Sequence, residues 1–146
     1  RKVSLTVPQT GLAVIIDAGE WNDIHPLDKK TVGDRLALQA LKMGDKKEIV
    51  ADGPVYQSMK VEGNKIRLSF KKGTDDFAKV SELKGFAIKN TDGNWTWAKA
   101  KAEGEKIVVW NDSVKNPVAV RYDWADNPDG NLKNKSGLPA SPFSTE

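Results

Sequence analysis

The sequence predicts an α+β protein in two pieces. The first, residues 1–46, is expected to form strands, a loop and a helix, like the last units of an α/β sheet. The second, residues 47–146, is expected to be an all-β, sandwich-like domain with an extended tail. Three observations support this prediction: an apolar run at residues 12–16, apolar residues at helical spacing from residue 26 to 43, and turn signals every 8–12 residues after residue 52.

The first forty residues predict two strands. In residues 1–8, the apolar Val3, Leu5 and Val7 alternate with polar residues, which is the pattern of a strand with one buried face. Residues 12–16 form a continuous, partly β-branched apolar run. Such a run is typical of a strand buried on both faces, as in a parallel sheet.

A helix is predicted over residues 26–43. Pro26 is tolerated at a helix start, and Asp28 would favour the positive end of the helix dipole. Gly44 supplies a stop signal. Gly33 inside the helix costs about 1 kcal/mol relative to alanine, so a close approach to a neighbouring strand is expected there. The face expected to be buried contains Val32, Leu36, Ala40 and Met43.

The sequence after residue 52 predicts short strands joined by turns. The turn at residues 62–65 indicates a hairpin, and residues 91–94 and 103–106 indicate two further turns. Residues 127–146 are rich in Asn, Gly, Pro and Ser, but Leu132, Leu138 and Phe143 suggest a strap along the protein. The strands are expected near residues 55–61, 66–70, 86–88, 95–100, 107–110 and 118–124.

Composition excludes several classes of function. The net charge of +3 is small and no long basic run occurs, which argues against nucleic acid as a partner. The absence of cysteine excludes a thiol nucleophile, and the single histidine argues against a zinc site. We therefore expect neither a cofactor nor a metal. No apolar run reaches the ~20 residues of a membrane span, and Arg1 as first residue suggests a cleaved or shortened chain.

The only histidine follows the predicted second strand. In open α/β sheets, ligands bind beyond the carboxyl ends of strands, which is where His25 is expected. Asp23 lies two residues before it. A histidine beside a carboxylate is a candidate general base with its orienting acid. On its own, a lone histidine is more often a surface or structural residue than a catalytic one.

The histidine block resembles the last block of the sialate O-acetylesterases, carbohydrate esterases of the SGNH-hydrolase superfamily. The resemblance begins at residues 17–30, which include Asp23-Ile24-His25-Pro26, and continues through residues 32–37. It covers essentially the whole chain, with further similar motifs in the same order at residues 53–56, 84–86, 116–122 and 137–143.

The resemblance implies that His25 is the base for a serine nucleophile in a bacterial ester hydrolase. The superfamily acid lies three residues before the histidine, where this chain has Asn22. Asp23, Asp17 or a backbone carbonyl could orient the imidazole instead. None of the eight serines lies in a nucleophile motif, so the serine is expected in a hydrolase portion upstream. The chain alone would then be inactive.

The resemblance also implies an O-acetylated carbohydrate substrate, on sialic acid or a plant glycan, and a periplasmic or secreted full-length protein. The alternative is a non-catalytic carbohydrate-binding or structural β-domain. Trp95 and Trp97, two residues apart on one predicted strand, could form a platform for a sugar ring. The interpretation that we favour is that they are core residues, because large aromatic side chains dominate cores.

Overall fold

The computed structural model describes residues 2–44 and 48–146, so the predicted boundary between residues 46 and 47 lies outside the described residues. The described part contains two helices, α1 (Lys2–Thr6) and α2 (Lys29–Gly44), followed by eight strands. The strands are β1 (Tyr56–Glu62), β2 (Lys65–Phe70), β3 (Phe86–Asn90), β4 (Trp95–Trp97), β5 (Lys99–Glu103), β6 (Lys106–Trp110), β7 (Pro117–Tyr122) and β8 (Phe143–Ser144).

The eight strands form two four-stranded antiparallel sheets, as predicted for the second piece. The first sheet has the order β1-β2-β6-β5 and the second the order β4-β3-β7-β8. The chain passes from the second sheet to the first at Ala98, between β4 and β5. Closely spaced turns permit this arrangement, because antiparallel neighbours need only short connections.

The core lies between the two sheets. Alternate residues of each strand point inward, so each inner strand contributes two or three fully buried side chains. Burial of one such side chain contributes about 1.5–3 kcal/mol. They include Ile66 and Leu68 of β2, Ile107 and Val109 of β6, Phe86 and Ile88 of β3, and Val120 and Tyr122 of β7.

The tail is strapped onto the sandwich, which confirms the prediction for residues 127–146. Leu132, Leu138 and Phe143 are all buried. β8 pairs with β7, and the Phe143 ring stacks on Tyr56 with centroids 4.8 Å apart. The backbone N–H of Leu132 donates to the Tyr122 hydroxyl over 2.9 Å. The apolar residues of a polar segment therefore complete the core.

Both strands predicted in the first piece are wrong. Residues 2–6 form the short helix α1, and residues 12–16 have no strand partner and are irregular. An isolated strand leaves its backbone N–H and C=O groups unpaired, so apolar alternation produces a strand only beside another strand. In the described part of the chain, no strand lies next to these residues to accept that pairing. The α/β-sheet part of the predicted fold class is therefore not formed by these residues.

α2 begins three residues later than predicted and its range ends at Gly44, one residue beyond the predicted end. Asp28 is its N-cap, because the Asp28 carboxylate accepts the backbone N–H of Thr31 over 3.0 Å. The predicted buried face is wrong: Leu36 is 54% exposed and Met43 42%. The buried side chain of α2 is instead Gln39, which donates to the backbone carbonyls of Leu12 and Ala51.

In the described residues, no helix is long and apolar enough to span a membrane.

Gly33→Ala in α2 is expected to stabilise the protein by about 1 kcal/mol, because alanine loses less backbone entropy in a helix. The close approach predicted for Gly33 is wrong, since an added Cβ would meet nothing within 4 Å. Chemical denaturation of the variant and the parent chain measures the difference. A destabilised Gly33→Ala variant would mean that the exposed face of α2 contacts something in solution.

The carboxylate of Asp123 is buried at the end of β7 in a cradle of two glycines. Asp123 is 4% exposed, and neither carboxylate oxygen has a hydrogen-bond partner. A Cβ on Gly130 would come within 1.9 Å of the Asp123 Oδ1 atom, and one on Gly85 within 2.2 Å. Burial raises the pKa of Asp123 to about 6, despite the nearby Tyr122 hydroxyl and Gly130 N–H, and the negative charge of Asp129 adds to the rise.

Asp123→Asn is expected to raise stability at neutral pH. Because its folded-state pKa lies above the ordinary value of 3.8, the native state binds more protons between pH 4 and pH 6. The Asp123 contribution to stability therefore falls across that window and stays low above it. In the asparagine variant, stability should no longer fall between pH 4 and pH 6 for this reason. Its free energy of unfolding at pH 7.5 should be higher than that of the parent chain by roughly 1–2 kcal/mol. Denaturation at pH 4.5, 6 and 7.5 measures it, with the exposed Asp126→Asn as control. An unchanged slope in Asp123→Asn would contradict this assignment.

Candidate active-site loop

We call residues 17–28 the histidine loop, because it contains His25. Its first residue is fixed by two cations from distant parts of the chain. The Asp17 carboxylate accepts hydrogen bonds from Arg35 of α2, at 2.5 Å from Nη1 and 3.0 Å from Nη2. Lys133 of the tail donates to the same carboxylate over 2.6 Å. The loop is thereby attached both to α2 and to the strap on the sandwich.

The ion pair between Asp17 and Arg35 is partly shielded from water, whereas Lys133 is more exposed. The side chains of Asp17 and Arg35 are only 15% and 11% exposed. Partial burial raises the pKa of the Asp17 carboxyl, but the hydrogen bonds and charges of Arg35 and Lys133 outweigh burial and bring the pKa down to about 2. Asp17 is therefore ionised at any physiological pH and acts here as an anchor of the loop.

Three carboxylates shape the rest of the histidine loop. Glu20 Oε1 accepts the backbone N–H of Leu27 over 2.8 Å. Asp23 Oδ1 accepts the backbone N–H of His25 over 2.7 Å. Asp28 caps α2 directly after the loop. Acidic side chains thus satisfy the backbone donors of a segment that has almost no regular structure of its own, as expected for a turn rich in Asp and Glu.

His25 is exposed, and three large apolar residues close to it in the sequence are exposed as well. Trp21 is 83% exposed, Ile24 90% and Leu27 86%. We call these three residues the apolar rim. Single exposed apolar residues are ordinary, but three within seven residues around one histidine are typical of a surface that another protein surface covers.

The geometry separates the sequence-predicted site residues into two groups. His25 and Asp23 lie together, but the hydrogen bond between them joins the Asp23 carboxylate to the His25 backbone, not to the imidazole. Asn22, at the position of the superfamily acid, is exposed. Arg35 and Lys133, which hold the loop, were missed, because only the fold brings residues 18 and 116 positions away next to Asp17.

Trp95 and Trp97 lie elsewhere, on the outer face of the second sheet. The interpretation of these residues as core is wrong, because Trp97 is 70% exposed and Trp95 only half-buried. They share a cavity of about 430 Å³ with Arg121 and Trp124. The guanidinium carbon of Arg121 lies 4.1 Å from the centroid of the Trp95 ring.

A second cavity, of about 310 Å³, lies between residues 10–14, α2 and the tail. Gln39 and Asp52 line it, whereas His25 and Asp23 do not. The two lining side chains are already bonded, Gln39 Nε2 to Asp52 Oδ1 over 2.9 Å and Lys42 to the other Asp52 oxygen. Among the residues described, no group of three or more His, Asp or Glu side chains could hold a metal ion.

Comparison with known proteins relates the chain to an esterase of known structure. No family model and no curated protein matches the chain. The chain is similar to the crystal structure of XAC1771, a carbohydrate acetylesterase from Xanthomonas citri, with 40% sequence identity and a TM-score of 0.93. The match covers 97% of this chain and 34% of XAC1771, so the chain spans about a third of that protein. The match supports the carbohydrate-esterase resemblance inferred from the sequence.

Proposed function

We propose that this chain is the C-terminal portion of a carbohydrate O-acetylesterase and that it supplies the catalytic base, His25. The observation that carries the proposal is the match to a carbohydrate acetylesterase over 97% of this chain but only 34% of that enzyme. Two observations support the proposal: the chain matches a third of an esterase, and its histidine is exposed in an anchored loop. The serine nucleophile and the oxyanion donors belong to an SGNH-type hydrolase portion upstream.

In this mechanism, the neutral imidazole of His25 takes the proton of the serine hydroxyl as the oxygen attacks the acetyl carbonyl. The imidazolium then returns the proton to the sugar oxygen that leaves. Water attacks the acetyl-enzyme in the second half of the cycle, again with His25 as base. An exposed imidazole in a loop suits this role, because the nucleophile must approach it from a separate surface.

Asp23 is a positioning residue in this proposal. Its bond to the His25 backbone N–H closes a tight turn and fixes the backbone position from which the imidazole extends. The anchor formed by Asp17, Arg35 and Lys133 fixes the start of the same loop. A small displacement of a catalytic base can cost a large factor in rate, so both attachments serve the chemistry.

The apolar rim gives the upstream hydrolase portion a place to pack. Its three exposed side chains lie within four residues of His25 in the sequence, and covering them would exclude water from the loop and strengthen the electrostatic interactions inside it. The substrate proposed is an O-acetylated carbohydrate, either 9-O-acetylated sialic acid, as the sequence resemblance implies, or an acetylated plant glycan.

The test compares the 146-residue chain with a polypeptide that continues upstream into the hydrolase portion, which we call the joined protein. The joined protein is expected to release acetate from an acetylated sialoside or an acetylated plant oligosaccharide, and the 146-residue chain to release none above buffer. Acetate is measured by a coupled enzymatic assay. Acetate release by the chain alone, lost in its His25→Ala variant, would contradict the proposed division of the site.

A further inference from the structure

The outer face of the second sheet has a row of residues that the proposed esterase chemistry does not use. In the strand register, Ala87 of β3 lies between Trp97 of β4 and Arg121 of β7. In the neighbouring row, Lys89 pairs with Trp95. Because alternate residues of a strand point to opposite faces, these side chains lie opposite the buried Phe86 and Ile88.

The small side chain of Ala87 leaves a groove between larger neighbours. The side chains of Trp95, Trp97, Arg121 and Trp124 line it. The resulting cavity, about 430 Å³, is within the range of small-molecule sites. Its lining is mainly aromatic with one fixed cation, which is also the composition of such sites.

Two of the three indoles of the groove, those of Trp97 and Trp124, are not held there by core packing. Trp97 is 70% exposed and Trp124 58%. Water-exposed indole rings that share one groove forfeit the stabilisation that burial of so large an apolar surface would contribute. Their position is explained if a flat ligand with an apolar face covers them.

Arg121 adds a polar group of defined direction. Its guanidinium carbon lies 4.1 Å from the centroid of Trp95 and 5.4 Å from that of Trp124, so both rings orient it. Its Nε is buried without a hydrogen-bond partner, and its Nη2 reaches Glu146 only at 3.5 Å. A planar donor with unused N–H groups between indoles can bind a hydroxyl or carboxylate oxygen of a ligand that stacks on them.

We propose that this groove is a glycan-binding site separate from the histidine loop. A pyranose ring would place the apolar face formed by its C–H groups on the exposed indoles of Trp97 and Trp124, and one of its oxygens would accept a hydrogen bond from Arg121, which Trp95 holds in place. The choice of a sugar as the ligand rests on the proposed function, whereas the groove itself does not. The site would hold a glycan chain while the ester is cleaved elsewhere on the enzyme.

Isothermal titration of the 146-residue chain with cellohexaose, a neutral glycan, and with trigalacturonate, an acidic one, tests the proposal. Saturable binding of at least one probe is expected, and at least tenfold weaker binding in both Trp97→Ala and Trp124→Ala. Trp21→Ala is the matched control, because Trp21 is also an exposed tryptophan (83%) but lies in the histidine loop. Its affinity should equal that of the parent chain.

Two results would overturn the proposal: no saturable binding of either probe, or equal loss of binding in Trp21→Ala and Trp97→Ala. Arg121→Lys keeps the charge but removes the planar donor, and is expected to weaken binding at least fivefold. Unchanged affinity in that variant would remove Arg121 from the site and contradict its assigned role. Acetate release is not part of this experiment, so its outcome is independent of whether the esterase proposal holds.

Discussion

His25→Ala is expected to lower acetate release by the joined protein about 10⁴-fold or more, the scale seen when one member of a catalytic triad is removed. No other histidine in this chain can replace it. The loss should be in kcat, because the imidazole accepts the serine proton in the transition state and does not contribute to binding the sugar. His25 is exposed and packs against little, so the variant should unfold at the same denaturant concentration as the parent. Full activity in His25→Ala would contradict its assignment as base.

Variants of Asp23 distinguish two roles for this residue: holding the turn through the His25 backbone N–H, or orienting the imidazole through its negative charge. Asp23→Asn keeps an oxygen that can accept the His25 backbone N–H, so it should retain activity within about tenfold. Asp23→Ala removes the acceptor, leaves the turn open and should lower kcat further than the asparagine variant. If Asp23→Asn were as severe as Asp23→Ala, the negative charge would matter more than the turn, and Asp23 would orient the imidazole directly.

Gly53→Ala is expected to destabilise the protein by about 3 kcal/mol or more, because the added methyl group meets the backbone of the tail. A Cβ at Gly53 would lie 2.1 Å from the carbonyl oxygen of Pro139 and 2.7 Å from that of Leu138. Both obstacles are backbone atoms, so no side-chain rotation relieves the clash. The tail must move instead, and with it the buried Leu138 and Ala140.

Equilibrium unfolding in urea, followed by tryptophan fluorescence, measures the effect of Gly53→Ala. Gly19→Ala is the matched control, because an added Cβ there meets nothing within 4 Å. A loss below about 1 kcal/mol in Gly53→Ala would mean that the tail is not strapped against residues 53–54 in solution. Limited proteolysis after Lys133 or Lys135 would then be fast in the parent chain as well.

The all-β part could be predicted from local sequence because its determinants are local. Turn residues recur at hairpin spacing, and apolar residues alternate between them, so strands such as β2 and β6 were expected within a residue or two of their observed bounds. The strap was predictable for a similar reason. Leu132, Leu138 and Phe143 are apolar residues in a polar segment and gain stability only when they are buried.

The first piece could not be predicted in the same way, because its structure depends on partners outside the local sequence. The apolar run at residues 12–16 has the composition of a buried strand, but strand formation requires a neighbour. The apolar side chains of α2 also follow helical spacing, yet Leu36 and Leu41 are exposed and the polar Gln39 is buried. Residues 12, 51 and 52 surround Gln39 with oxygen acceptors, and only the tertiary fold places them there.

The residues of the candidate sites also differ in whether local sequence could identify them. His25 and Asp23 are neighbours in sequence and could be named as a pair from the sequence alone. Trp95 and Trp97 could be placed on one face by their spacing. Arg121 joins them only through the register of β3 with β4 and β7, which no short-range pattern contains.

Covalent labelling with a fluorophosphonate, a reagent for activated serines, tests most directly whether His25 activates a serine that lies outside this chain. Peptide mass spectrometry of the labelled joined protein locates the modified residue. We expect one labelled serine in the upstream hydrolase portion, no label on the eight serines of this chain, and loss of labelling in His25→Ala. A label on a serine of this chain, or undiminished labelling in His25→Ala, would contradict the role of His25 as the base for an upstream nucleophile.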